Sequence, residues 1–272
     1  MRGGFVAAAV LTAVTAVTTM TVVACGGDGG GEEAVVEGTP PETPYSGPLN
    51  AADALECEGK VFDTDKGDAW SKGDGGGTPE EGLKAYFDIY VPEVPRSGYR
   101  VEREEGDRVL YSYDVGGRTK VAVVVAKDGK NRPGWGPETS ASCDPAELPA
   151  SVTDSWEYEI WTDRTGRRVP VTKVSSSTGA EHCDWQSAHF LQLGRGAGAA
   201  MYVRDPDGLF ATGTQLSAPY DGDVRMPVGA YDAGYRYHDW RLWLTDDKAT
   251  AYVRTSHGVE AWPLAKNGLA CK

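Results

Sequence analysis

The chain has 272 residues, with 40 acidic against 27 basic side chains and a net charge of −13. Such an excess of carboxylates argues against nucleic acid as a partner, because that binding rests on Lys and Arg neutralising phosphates. It argues equally against electrostatic docking on anionic lipid.

The N-terminus reads as a targeting segment. Arg2 supplies a short positive region, and residues 5–24 carry no charge and are rich in Ala, Val and Thr. Val22-Val23-Ala24-Cys25 then places a small residue just before a Cys. This is a secretory signal layout, and with Cys at the first mature position it resembles the lipobox of bacterial lipoproteins. The resemblance implies a signal peptide over 1–24 and lipid on Cys25, which would anchor the chain to the outer face of the cell membrane. The alternatives are a plain signal peptide and an uncleaved transmembrane helix, since about twenty apolar residues span a bilayer. Two or more acyl chains anchor stably where one does not.

Residues 25–50 read as a disordered acidic Gly/Pro tether. No Lys or Arg occurs between Cys25 and Lys60, and such a segment buries too little apolar surface to order itself. As a flexible coil it would span roughly 25–30 Å. The remainder is long enough for two domains of ordinary size. The boundary is expected in the polar, Pro-containing stretch 144–154, giving an α+β domain over 51–149 and a β-rich domain over 150–272.

In the first of these, Thr78-Pro79-Glu80-Glu81 is a capping box with Pro at the first helical position. Leu83, Tyr86, Phe87 and Tyr90 follow at helical spacing, and Pro92 stops the run. Three strands are predicted next, in "YRVERE", "VLYSYDV" and "TKVAVVVAK", joined by the turn sequences "EGDR" and "VGGR". The second domain opens with the alternating run "WEYEIWT", and "WRLWLT", "ATAYVRT" and "VEAWPLA" form a three-strand meander near its end. The expected fold class is therefore α+β: a helix on an antiparallel sheet, followed by a mostly β domain with one disulfide-pinned helix.

With Cys25 lipidated, Cys57, Cys143, Cys183 and Cys271 remain, an even number in an oxidising compartment. Three connectivities are possible. Cys57–Cys143 and Cys183–Cys271 are favoured, because each pair brackets one compact unit and neither crosses the boundary. A zinc site is the rival, but no C-x-x-C spacing exists.

The pinned helix is expected in "GAEHCDWQSAHFLQL" (179–193). Thr178-Gly-Ala-Glu181 repeats the capping-box pattern and Gly194 supplies a stop. At about 100° per residue, Cys183, Ser187, Phe190 and Leu191 share one face, and His182, Trp185 and His189 share another, a possible binding face. The two His stand about 10.5 Å apart along such a helix, too far to hold one metal. A disulfide at Cys183 would also remove the thiolate that Cys–His chemistry needs.

No catalytic residue, metal site or cofactor emerges from the remaining motifs. Asp63-Thr-Asp65-Lys-Gly67-Asp68 reverses the order of Gly and Asp that a calcium loop needs. No G-x-S-x-G, S-x-x-K or phosphate-binding loop occurs. Trp156, Trp161, Trp185, Trp240, Trp243 and Trp262 crowd the second domain. Trp161 and Trp243 either lie buried between sheet and helix or form an exposed aromatic patch suited to glycan or protein contact.

Several phrases, "TPEEGLKAYF", "GYRVEREEGDRVLYSYDVGGRTKVAVVVAKDG", "GWGPETSASCDP", "EHCDWQSAHFL" and "YVRDPDG", resemble segments of uncharacterised secreted and lipid-anchored actinobacterial lipoproteins. That resemblance implies an envelope location and a disulfide framework, and it carries no reaction. The function expected is that of a non-enzymatic envelope lipoprotein binding or scaffolding an envelope protein or glycan. The alternative is an extracytoplasmic hydrolase using His and carboxylates of the second domain.

Overall fold

The computed structural model describes residues 49–65, 73–89, 94–129, 132–156, 158–266 and 269. The expected signal segment, Cys25, the expected tether up to residue 48 and Cys271 lie outside the described residues. Residues 47–272 form one compact unit.

Five strands make the first sheet: β1 (Asp63–Asp65), β2 (Tyr99–Glu105), β3 (Arg108–Val115), β4 (Arg118–Gly129) and β5 (Arg132–Ser142). They pair antiparallel in the order β1-β5-β4-β3-β2. The centre is β4, whose Val121 to Val125 have no exposed surface. Period-two alternation explains this burial on both faces. Val121, Val123 and Val125 join a cluster with Val109 and Tyr111 of β3 and Leu83, Tyr86 and Phe87 of helix α1 (Pro79–Ile89). Ala122 and Val124 face the other way, into a cluster with Leu49, Ala51, Leu110 and Ala141. Gly116 and Gly117, both at positive φ, make the two-residue β3–β4 turn, whose twist matches that of paired strands. At the start of α1, Thr78 Oγ1 accepts from the Glu81 amide at 3.3 Å, and Glu81 Oε2 accepts from the Gly77 amide at 2.6 Å.

The beginning of this unit is bolted down. Cys57 and Cys143 form a disulfide across 86 residues. Beside it the Lys120 ammonium donates to Glu147 Oε2 at 2.6 Å and to the Glu56 carbonyl at 2.8 Å, with both side chains of the ion pair at least nine-tenths buried. Leu49 is itself buried, so the end of the stretch assigned to the tether belongs to the folded unit.

After a short helix α2 (Ala150–Thr153), two further antiparallel sheets follow. One holds β6 (Val174–Thr178), β7 (His189–Leu193) and β8 (Ala200–Arg204), in that order. The other is a four-strand meander of β9 (Tyr231–Tyr237), β10 (Trp240–Leu244), β11 (Thr250–Thr255) and β12 (Gly258–Pro263). One core unites them: Val174, Leu191 and Tyr202 from the first meet Leu242, Ala251, Val253 and Trp262 from the second, around Trp161. The backbone bridge Tyr202–Leu264 links β8 to the residue that follows β12. Asp144 connects the earlier part of the unit to the later one, its carboxylate accepting from the Ala146, Val171 and Thr172 amides.

The expected α+β class is overturned. Among the described residues the protein is mostly β, with 43% strand against 15% helical residues, three antiparallel sheets and two short helices. The disulfide-pinned helix over 179–193 does not form. Residues Glu181–Cys183 make a single 3-10 turn, Asp184 takes a left-handed conformation at φ 58°, and the chain then enters strand β7. Gly179 explains the choice: its amide bonds the Ala188 carbonyl at 2.9 Å, and a Cβ there would lie 2.1 Å from the Trp185 carbonyl oxygen. The segment is a closed loop wound on itself, not the first turn of a long helix.

Candidate functional site

The residues expected to share a binding face are separated by that loop. His182 is exposed on the 3-10 turn. Trp185 is half-buried against Phe190 and Phe210, with ring centroids 5.9 and 5.0 Å away. His189 turns to the opposite side, because on a strand it shares its face with Leu191 and not with Phe190. Cys183 is disulfide-bonded; Cys271, its expected partner, lies outside the described residues.

His189 joins a polar cluster between the two later sheets. Its Nε2 lies 2.7 Å from Glu159 Oε2, and both side chains are 13% exposed. Ser176 Oγ donates to the same Glu159 oxygen, and Trp161 Nε1 donates to Ser176 Oγ at 2.8 Å. The imidazole packs edge-on against Trp240 and near Trp262, at 5.0 and 5.8 Å between centroids. Directly across the β7–β8 ladder from His189 stands Arg204. Its guanidinium bonds Glu260 at 2.9 Å, and Glu260 also accepts from Trp262 Nε1 at 2.8 Å. Burial pushes the nearby Tyr220 hydroxyl up to about 12, with the Glu260 charge adding to it. Burial likewise raises Tyr237, helped by the Glu159 carboxylate. The cluster holds a His and two carboxylates, which are the elements of acid–base chemistry. Its groups are spent on one another: the chain Trp161–Ser176–Glu159–His189 closes without a free acceptor at the shared carboxylate oxygen.

The outward face of the four-strand sheet has the opposite character. Leu242, Leu244, Ala251 and Val253 point into the core, so alternation sends Arg241, Trp243, Tyr252 and Arg254 outward. Register then sets Arg236, Arg241 and Arg254 directly opposite one another on three neighbouring strands. Trp243 and Tyr252 form the next pair along. Arg254 lies 5.4 Å over the Trp243 ring. Trp161, by contrast, is wholly buried, so the two Trp have different fates. Sequence reasoning passed over this arginine row. The signal available was the tight hairpin "RYHDWR", whose turn pairs Arg236 with Arg241.

Among the described residues, one triad of potential metal-ligand groups exists, Cys57, Cys143 and Glu147, with their ligand atoms within 4.8 Å of one another. Both sulfurs are consumed by the disulfide, and metal needs the thiolate. Among the described residues no helix is long and apolar enough to cross a membrane. No family model matches the chain, and no curated protein or solved structure matches it significantly.

Proposed function

We propose that the protein is a cell-envelope lipoprotein, held on the outer face of the membrane by lipid on Cys25, that binds an envelope component without chemistry of its own. The observation that carries this reading is the outward face of the β9–β12 sheet. There two aromatic side chains sit beside three aligned arginines on a chain of net charge −13. Aromatic and Arg side chains are the groups enriched where proteins bind partners. The lipobox-like start and the acidic tether support the location.

The second reading is an envelope hydrolase, favoured by the 2.7 Å contact between His189 and Glu159. The test compares full-length protein carrying Arg241→Glu and Arg254→Glu with protein carrying His189→Ala, each purified in detergent and offered envelope fractions. The charge-reversal pair is expected to abolish retention of a component that His189→Ala still holds. Release of small envelope fragments that depends on His189, with no effect of the charge reversals, would replace the binding reading by the hydrolytic one.

A further inference from the structure

We infer that the outward face of the β9–β12 sheet binds an anionic glycan, with its acidic groups on Arg241 and Arg254 and a sugar ring on the Trp243–Tyr252 pair. The inference rests on the binding reading above and names the partner of that face.

Like charges directly opposite on paired strands destabilise a sheet. Here three guanidiniums stand in one cross-strand row. The carboxylates nearby relieve it only at Arg236. Asp232, opposite Trp243, is taken by Arg164 and sits 3.8 Å from Arg236. Asp239, on the β9–β10 turn, is turned to the Ser256 amide at 2.9 Å. Arg241 and Arg254 are exposed, and neither has a carboxylate partner among the described residues. In a molecule with 40 acidic side chains, two unpaired arginines side by side make a local site for anions.

Two further donors on this face lack acceptors. Trp243 Nε1 and Arg236 Nε are both buried and without a hydrogen-bond partner, whereas buried polar groups are ordinarily satisfied. Arginine is suited to planar, bidentate recognition of carboxylate or phosphate. The half-buried Trp243 and Tyr252 add a flat apolar surface with polar rims, which matches the face of a sugar ring. The Arg254 guanidinium over Trp243 is a weak cap at an exposed site. It can turn to an incoming acidic group and leave the ring free. A simple polyanion would use the arginines alone; an anionic glycan uses both halves of the face.

Binding of polygalacturonate to the full-length protein in detergent tests this, with two comparison probes. The fully methyl-esterified polymer keeps the ring and loses the charge, and inorganic polyphosphate keeps the charge and loses the ring. Polygalacturonate is expected to bind most tightly, and more weakly as salt rises. Arg241→Glu and Arg254→Glu should each weaken it about tenfold, as for loss of one charge-assisted hydrogen bond. Trp243→Phe should weaken polygalacturonate and leave polyphosphate unchanged. Equal binding of polyphosphate and polygalacturonate, both indifferent to Trp243→Phe, would overturn the glycan assignment while leaving the face a binding site. Failure of both arginine variants to alter retention of any envelope component would overturn the binding reading itself.

Discussion

At the scale of single residues, the buried polar groups decide more than the exposed ones. His189 and Glu159 share a nearly dry site with Ser176 and Trp161. Removing the imidazole leaves a buried carboxylate short of a partner, and that asymmetry costs more than the bond itself contributes. His189→Ala should therefore lower stability by about 2–3 kcal/mol in urea unfolding, the range for hydrogen bonds to charged groups and their unsatisfied remainders. Wild-type stability in that variant would mean the network is not structural. Lys120 and Glu147 make the sharper case. Lys120→Met strands a buried carboxylate and should cost about 3–5 kcal/mol, with much of it recovered when Glu147 is also made apolar. The pH dependence follows from the same pair. Burial pushes the Glu147 carboxyl up, but Lys120 and the Glu58 and Gly59 amides outweigh it and hold the carboxyl below its ordinary 4.5. A depressed folded-state value means that the unfolded chain takes up the proton first. The stabilisation is thus fully present above pH 4.5 and is lost as pH falls through the folded value. Lys120→Met should flatten the acid limb of a stability-against-pH curve.

At the scale of elements, legibility followed locality. Strand β3 could be read because Val109, Tyr111, Tyr113 and Val115 alternate, and all four gather on one cluster. The start of α1 could be read because its cap is made by neighbours in sequence, Gly77, Thr78 and Glu81. The stretch 179–193 misled because Thr178-Gly-Ala-Glu181 imitates that cap. Thr178 is instead the last residue of β6, and the close contact at Gly179 depends on a loop that only folding creates. His189, Leu191 and Leu193 alternate at strand period, whereas helical phase sets His189 and Leu191 on different faces, and burial of Leu191 with Trp262 and Tyr202 decided for the strand. Glu159 stayed hidden for a similar reason. It alternates as a solvent-facing residue in "WEYEIWT" and finds His189 thirty residues away. The Cys57–Cys143 bridge carries the element-scale prediction. It closes a long loop, for which the chain-entropy model sets a ceiling of about 4–5 kcal/mol. Cys57→Ser with Cys143→Ser should cost up to that amount, and amide exchange should quicken first in residues 51–59. Those residues depend on the bridge, on the Lys120–Glu147 pair and on one ladder bond from the Glu56 amide to the Thr119 carbonyl. Amides of β4, buried at the centre of its sheet, should keep their protection.

At the scale of the whole molecule, charge and attachment work together. A chain of net charge −13 is repelled by an anionic membrane surface, so the proposed residence there would rest on a covalent anchor and not on the protein's surface. The folded unit is pinned at its beginning by Leu49, Ala51 and the Cys57 bridge. The outward β9–β12 face lies in a different sheet of the same unit, where the proposed binding would leave the Cys57 bridge undisturbed. Cys25→Ala separates anchor from fold. It should move the protein from the membrane pellet to the soluble fraction while leaving urea stability unchanged, since no residue of the folded core is touched. Two acyl chains hold a protein to a bilayer stably and none holds it at all, so the shift should be close to complete. Retention of the variant in a carbonate-washed pellet would defeat the lipid anchor and favour residues 5–24 as an uncleaved span. Partial release that reverses at low salt would point instead to a charged contact, which the acidity of the chain argues against.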